Sequence, residues 1–155
     1  MKGSASLYME VSPLRIWSLV SDVTQIGRFS PETFESQWLG GATGPAVNIR
    51  FRGHVRRNGK KWLVYWTTCV ITKCEPGREF AFAVLGPWGQ TAVTWSYCME
   101  PSREGTTVTE SFEVGTSWAL RLYALLARHT RTQTNIDNMV ATLERIRMVA
   151  ETTDE

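Results

Sequence analysis

The sequence lacks most of the short motifs that identify a catalytic function directly. It has no glycine-rich phosphate loop, no His-Glu-x-x-His motif and no cysteine pairs with metal-ligand spacing. Its two histidines, His54 and His129, have no neighbours in the sequence that suggest a catalytic triad or a metal site. We therefore expect the protein to use neither a metal ion nor a cofactor.

Charge of one sign and long apolar runs are also scarce. The formal net charge is only +2, which is too small to indicate binding to nucleic acid or to an anionic membrane. No stretch approaches a transmembrane helix in length, and Arg15 and Ser18 interrupt the first apolar stretch, which disfavours a signal peptide. The odd number of cysteines (Cys69, Cys74 and Cys98) indicates reduced thiols. We expect a cytoplasmic protein with no integral membrane association, although export without a signal peptide stays open.

Tryptophan, in contrast, is abundant, with seven residues in a chain of 155. So many large aromatic side chains line either a dense core or a cavity. Hydrophobic residues make up 43% of the chain and charged residues 21%, which is ordinary for a globular domain of this length. Because there is no repeat or linker, we expect a single domain over residues 1–150 and a disordered tail at 151–155.

The N-terminal third combines strand and helix signals. Residues 5–11 alternate between apolar and polar side chains, which is the period of a half-buried strand. Ser12 followed by Pro13 predicts a helix start, and Asp22 with Gln25 predicts a second one. Two short helices should therefore follow the first strand, before a second strand over residues 34–39.

A β-hairpin is predicted around the dipeptide Asn58–Gly59, which lies between two alternating runs and favours a two-residue type I′ turn. That turn would fix the strand register. Phe51 would face Trp66 on the buried side, because directly opposite residues share a face. His54 and Tyr65 would lie on the water-exposed side.

Three further turn signals divide the region after residue 70 into strands: Glu75–Arg78, with proline and glycine placed for a type II turn, Gly86–Gly89, and Pro101–Gly105. A β-bulge is needed to turn Phe80 and Phe82 inward. Alternation in the last two strands directs inward the side chains of Val93, Trp95, Tyr97, Met99, Val108, Glu110, Phe112 and Val114.

The C-terminal region, residues 117–149, contains no glycine or proline and carries apolar residues at helical spacing. Residues 129–134 are rich in poor helix formers. One continuous long helix and a helix broken near Thr130 are therefore both compatible with the sequence.

Short stretches along nearly the whole chain follow an order that resembles a known family. They are Ser12-Pro13 leading to Trp17, Gly44 through Phe51-Arg52-Gly53, Val70 followed by Glu75-Pro76-Gly77-Arg78-Glu79-Phe80, Thr94-Trp95-Ser96-Tyr97 ending at Pro101, and Gly105-Thr106-Thr107-Val108-Thr109-Glu110. The order resembles the START and birch-pollen-allergen superfamily, and more narrowly its polyketide cyclase/dehydrase and lipid-transport group, often called SRPBCC. The resemblance implies an α+β helix-grip fold. In that fold a curved seven-stranded antiparallel sheet wraps around a long C-terminal helix, and the space between them holds lipids, polyketides or sterols.

Glu110 is the main candidate for a functional residue, because alternation places this acid on the apolar inner face. It could be a general acid or base with a raised pKa or a hydrogen-bond anchor for a ligand. It could also be a structural acid bonded to Tyr97, a tryptophan N–H or an arginine, or an acid at the mouth of the cavity. Tyr97 could orient a ligand carbonyl or satisfy a buried backbone group. These two residues are the candidate catalytic pair.

Three hypotheses on function follow. The leading one is binding or transport of a hydrophobic small molecule, lipid or polyketide-like, in an internal cavity. The second is a cofactor-independent cyclase or dehydratase that uses Glu110 and Tyr97. The third is a protein-interaction module with a vestigial cavity, and a homodimer stays open. The candidate ligand-binding residues are Trp38, Phe51, Trp66, Phe82, Trp95, Tyr97, Glu110, Phe112 and Met139.

Overall fold

A computed structural model describes residues 1–57 and 62–152, except for the side chains at positions 128 and 129. The predicted turn at Asn58–Gly59, the side chain of His129 and residues 153–155 of the predicted tail lie outside this described part.

Seven strands form one open, curved antiparallel sheet in the described residues, with the strand order β1-β7-β6-β5-β4-β3-β2. Two helices lie between the first two strands, α1 (Pro13–Ser21) and a short 3₁₀-helix (Val23–Arg28), and the long helix α2 (Trp118–Thr152) follows the last strand. The predicted α+β architecture and element order are confirmed. The strands are β1 (Lys2–Met9), β2 (Thr33–Trp38), β3 (Arg50–Arg56), β4 (Val64–Glu75), β5 (Glu79–Leu85), β6 (Thr91–Ser102) and β7 (Gly105–Val114).

The two short helices begin where the capping signals predict. The Ser12 hydroxyl accepts a hydrogen bond from the Arg15 amide at 3.3 Å, and the Asp22 carboxylate accepts one from the Thr24 amide at 3.1 Å. Each bond satisfies an amide that has no partner inside its helix. These caps turn the chain away from β1 and across one end of the sheet.

The predicted register of the β3–β4 hairpin is wrong by three residues. Phe51 lies opposite Cys69 rather than Trp66, and Trp66 lies opposite His54. The Arg57 amide donates to the Leu63 carbonyl oxygen at 3.2 Å, so the connection between the strands is longer than a two-residue turn. An odd shift exchanges the two faces of β4, because side chains alternate along a strand.

The β4–β5 turn and its bulge follow the prediction. Gly77 has a φ of 70°, as the third position of a type II turn requires, and the Arg78 amide donates to the Glu75 carbonyl oxygen at 3.0 Å. The pairing register shifts between Ile71 and Lys73, which is a β-bulge. The bulge lets Phe80 and Phe82 face inward in a strand that follows a tight turn.

Helix α2 is continuous over 35 residues and is not broken near Thr130. The Thr134 hydroxyl donates to the carbonyl oxygen of Thr130, a back-bond that lets threonine remain inside a helix. The helix also includes residues 151 and 152, which we expected in a disordered tail, and the Glu151 carboxylate accepts a hydrogen bond from the Glu10 amide at 3.0 Å. None of the helices in residues 1–57 and 62–152 has an apolar stretch long enough to cross a membrane.

The core lies at one end of the molecule, which we call the closed end. Here α1, the β4–β5 and β6–β7 turns and the C-terminal half of α2 come together: Trp17 of α1 donates its indole N–H to the Glu79 carbonyl oxygen at 3.2 Å. The space between sheet and helix is filled at this end by apolar side chains with 5% exposure or less, among them Met9, Val11, Ile16, Phe80, Met99, Val108, Leu143, Ile146 and Ala150.

Candidate functional site

A cavity of about 390 Å³ lies between the inner face of the sheet and α2, beyond the packed core. Phe51, Phe82 and Trp95 line it from the sheet, and Met139 lines it from α2. Most of the wall is apolar. The inward positions of neighbouring β2, β3 and β4 include Ser36, Gly53 and Thr67, and these small residues leave space that larger side chains would fill.

Glu110 is buried in the wall of this cavity, with 4% of its surface exposed. It lies on β7 directly opposite Tyr97 of β6, whose phenol O–H donates to the Glu110 Oε1 atom at 2.9 Å. The other carboxyl oxygen, Oε2, is also buried and has no hydrogen-bond partner among the described residues. An unpaired polar atom in such a place is costly unless something else bonds to it.

Burial raises the pKa of Glu110 from its ordinary value of 4.5 to about 8, although the hydrogen bond from Tyr97 lowers it in part. Burial, then the charge of Glu110 and the hydrogen bond to it, raise the pKa of Tyr97 well above its ordinary value. At neutral pH both groups are therefore mainly protonated. Because Oε1 accepts from Tyr97, the proton of Glu110 belongs on Oε2, where the cavity wall offers a hydrogen-bond donor.

Asn135 of α2 adds a second polar group that the sequence analysis missed. It is buried, it lines the cavity, and its Oδ1 atom has no partner among the described residues. Asn135 lies one helical turn before Met139, so the two side chains share a face of α2. This spacing was the only sequence signal that Asn135 lines the cavity. Glu110 and Asn135 together give the apolar cavity one donor and one acceptor.

An ion pair joins α2 to the segment before β2 at the edge of the cavity. The Arg131 guanidinium donates to both carboxylate oxygens of Glu32, at 3.0 and 2.7 Å. Burial alone would lower the pKa of Arg131, but the hydrogen bond and charge of Glu32 outweigh burial and raise it. This bidentate contact joins the middle of α2 to the β2 edge of the sheet.

The cavity also contains one thiol, Cys69 of β4. Burial raises its pKa to about 12, so it is protonated at neutral pH, which disfavours a role as a nucleophile. No group of three or more metal-ligating side chains occurs in the described ranges 1–57 and 62–152.

Six of the nine predicted ligand-binding residues line the cavity: Phe51, Phe82, Trp95, Tyr97, Glu110 and Met139. Trp38 and Phe112 lie behind this wall instead. The Trp38 ring packs edge-on against Phe51 with ring centroids 6.3 Å apart, and Phe112 packs against Trp95 at 5.5 Å. Neither is among the residues that line the cavity.

The placement of Trp66 in the cavity is wrong, because the corrected β4 register turns it to the outer face. There it is 40% exposed, stacked on His54 at 4.1 Å and covered by the Arg52 guanidinium at 4.2 Å. The same correction brings Tyr65, which we expected in water, into the cavity wall. The outward placement of His54 agrees with the prediction.

A sheet that wraps one long helix and leaves a hollow between them defines the helix-grip class of folds. A profile of the family described as polyketide cyclase / dehydrase and lipid transport matches residues 2–144, and the chain belongs to that family. A search of curated proteins finds no match.

Solved structures support the same fold. The di-domain ARO/CYC StfQ from the steffimycin biosynthetic pathway has a TM-score of 0.70 at 12% identity, over 97% of this chain and 50% of that chain. The Aha1 dimer from Colwellia psychrerythraea has a TM-score of 0.66 at 12% identity, over 100% and 99%. The Polyketide_cyc-like protein Cgl2372 from Corynebacterium glutamicum is 25% identical, with a TM-score of 0.53 over 97% and 86%.

Proposed function

We propose that the protein binds a hydrophobic small molecule, lipid or polyketide-like, that carries at least one carbonyl or hydroxyl oxygen. The observation that carries this proposal is the buried Oε2 atom of Glu110, which has no partner among the described residues and lies in a mainly apolar cavity. The volume of about 390 Å³ falls in the range of roughly 300–1,000 Å³ that is usual for small-molecule sites.

Hydrogen-bonding chemistry narrows the class of ligand. A ligand oxygen placed near Oε2 would accept a hydrogen bond from the protonated Glu110, and a ligand hydroxyl could donate one to Oδ1 of Asn135. A plain hydrocarbon would fill the apolar volume but would leave both polar atoms unpaired, which costs free energy. An oxygen-bearing hydrophobic molecule is therefore favoured over a hydrocarbon of the same size.

A cofactor-independent enzyme is the second candidate, and the pKa of Glu110 favours it. An acid that titrates near pH 8 can both hold and release a proton close to neutral pH, as general acid–base catalysis requires. StfQ, which shares the fold, is described as an ARO/CYC. Tyr97, whose pKa is raised further, would act as a hydrogen-bond donor rather than as a base.

We place the protein in the cytoplasm, since Cys69, Cys74 and Cys98 are all free thiols. The similarity to the Aha1 dimer makes a homodimer a state to test in solution.

The test is native mass spectrometry of the gently purified protein, followed by titration with matched pairs of ligands that differ by one carbonyl group. We expect the oxygen-bearing member of a pair to bind more tightly. Glu110→Leu should weaken that ligand by about tenfold, because its oxygen loses a buried donor. Glu110→Gln should change affinity little, because its amide N–H can donate to the same oxygen.

Glu113→Gln is the matched control, since Glu113 is exposed on the outer face of the same strand. If the wild type bound the two ligands of a pair equally well, and Glu110→Leu bound both as the wild type does, Glu110 would not be the hydrogen-bond donor to the ligand oxygen. Turnover that Glu110→Gln abolishes while binding persists would establish the enzyme instead. Failure of a broad panel to bind would favour the interaction-module hypothesis.

A further inference from the structure

Three tryptophans lie exposed at one end of the molecule. Trp62, Trp88 and Trp118 have 79%, 86% and 79% of their surfaces exposed. Trp62 lies just before β4, Trp88 lies in the β5–β6 turn, and Trp118 begins α2 just after β7. The start of β4, the end of β5, the start of β6 and the end of β7 all lie at the end of the sheet opposite the closed end, and residues 64–67 of β4 extend beyond the end of β5.

Hydrogen bonding connects two of these segments directly. The Gly115 amide, just before α2, donates at 2.8 Å to the carbonyl oxygen of Ala92 at the start of β6. We call residues 62–64, 86–90 and 115–126 the tryptophan end. It is formed by three segments that are distant in the sequence.

The first turns of α2 add an exposed apolar face to the tryptophan end. Leu122, Leu125 and Leu126 are exposed, the last by 80%, and they lie at helical spacing from Trp118. Single exposed apolar residues are normal on a protein surface, but a contiguous group of large ones indicates an interaction surface.

The three segments of the tryptophan end have basic residues in or next to them and contain no acid, and the acids nearest to them are Glu32 and Glu35 around the start of β2 and Glu113 near the end of β7. No Asp or Glu occurs in residues 36–74, 80–99 or 114–136. In contrast, the two turns at the closed end carry charges of both signs: the acids Glu75, Glu79, Glu100 and Glu104 and the bases Lys73, Arg78 and Arg103. The small net charge of +2 therefore conceals an uneven distribution. The basic residues in or next to the tryptophan segments are Arg56, Arg57, Lys60, Lys61, Arg121 and Arg128.

We propose that the tryptophan end docks on the surface of an anionic lipid bilayer. Tryptophan rings favour the boundary between lipid and water, and the leucine face of an amphipathic helix can enter it. Basic residues add attraction to anionic head groups. A second copy of the chain is a poorer occupant, because a two-fold contact through this end would bring like charges together.

Docking in this way would place the cavity at the bilayer. Leu85, Leu120 and Tyr123, from the end of β5 and the first turns of α2, are among the cavity-lining residues. The cavity thus reaches the tryptophan end and is sealed from the closed end by the packed core. The proposal goes beyond ligand binding and does not depend on it, since docking involves surface residues.

The experiment is co-sedimentation of the full chain with two kinds of vesicle, one of phosphatidylcholine and one that also contains phosphatidylglycerol. We expect binding to the anionic vesicles to be about tenfold tighter or more, and to weaken as salt is added. Trp118→Ser combined with Leu126→Ser should weaken this binding by about tenfold. Arg56→Gln combined with Arg121→Gln should weaken it by a similar factor.

Matched controls exist at the other end of the molecule. Leu14 and Met148 are exposed by 58% and 64%, so Leu14→Ser with Met148→Ser removes comparable apolar surface. Arg78→Gln with Arg147→Gln removes two charges there. Both control variants should bind the vesicles as the wild type does.

Three outcomes would overturn the proposal. One is the absence of binding to either vesicle, and another is equal loss in the control variants. The third is a dimer, seen by analytical ultracentrifugation, that Trp118→Ser with Leu126→Ser dissociates while vesicle binding is absent. Ligand titration without vesicles, on the same variants, reports separately on the cavity.

Discussion

The two halves of α2 carry apolar residues at the same spacing but differ completely in burial. Trp118, Leu122 and Leu125 follow one another at four and three residues and are exposed. Met139, Leu143 and Ile146 repeat that spacing and are buried to 1% exposure or less. Helical periodicity therefore identifies an apolar face but does not say what covers it. The sheet and α1 pack against the apolar face of the C-terminal half.

This difference also separates the two ends of the molecule. At the closed end a polar group such as the Thr106 hydroxyl is buried with a partner, since it donates to the Val11 carbonyl oxygen at 2.7 Å. At the cavity, Glu110 Oε2 and Asn135 Oδ1 are buried without partners among the described residues. Arg15 Nε of α1 and Thr132 Oγ1 of α2 are also buried without partners among the described residues, so an unpaired atom alone does not identify a site. Glu110 and Asn135 differ in that both line the cavity, and this location favours a ligand site.

The largest expected effect tests the two halves of α2 against each other. Leu143→Ala should lower the free energy of unfolding by about 3 kcal/mol, because it leaves a cavity in a packed region. Leu126→Ala, in the exposed half, should change it by less than about 0.5 kcal/mol. Urea denaturation of both variants measures the difference. Equal losses would mean that the N-terminal half of α2 is covered in the folded protein.

Local sequence signals explain most of what could be predicted about the fold. Ser12 and Asp22 cap their helices through contacts within three residues, and Gly77 determines its turn by its own φ. The alternation that placed Trp95, Tyr97 and Glu110 on one face also depends only on neighbours along each strand. Such signals need no knowledge of distant contacts.

What could not be predicted depends on contacts between distant segments. The β3–β4 register depends on the length of the connection, and an error of three residues exchanged Trp66 with Tyr65. The only local signal for Asn135 is its spacing to Met139, which does not show that the sheet opposite α2 leaves a cavity there. The exposure of Leu125 and Leu126 likewise depends on where the sheet ends.

The next expected effect compares buried polar groups at the two ends. The pKa of Glu110 is about 8 in the folded protein, and in the unfolded chain we expect the ordinary value of 4.5. Between these two pH values the folded state therefore binds more protons than the unfolded state. Stability should therefore fall as pH rises through this window, by about 3 kcal/mol up to pH 7. Glu110→Gln removes this titration. The free energy of unfolding of the variant should therefore exceed that of the wild type by an amount that grows with pH and vanishes below about pH 4.5.

Thr106→Val provides the comparison at the closed end. It should lower stability by about 1 kcal/mol, because the Val11 carbonyl loses its donor, and by the same amount at every pH. Thermal unfolding of the three proteins from about pH 5 to pH 9 measures both effects. A Glu110→Gln advantage that does not vary with pH would show that Glu110 is not a buried acid with a raised pKa.

The smallest expected effect separates the inner and outer faces of the sheet around the cavity. A hydrophobic ligand that quenches tryptophan emission should act on Trp95, which lines the cavity, and not on Trp66, which stacks on His54 on the outer face. Trp95→Phe should therefore remove a clear part of the quench, whereas Trp66→Phe should leave it unchanged. Both substitutions keep an aromatic ring and remove one indole, so they are matched in chemistry. If Trp66→Phe reduced the quench and Trp95→Phe did not, the ligand would lie on the outer face, and the cavity would not be the binding site.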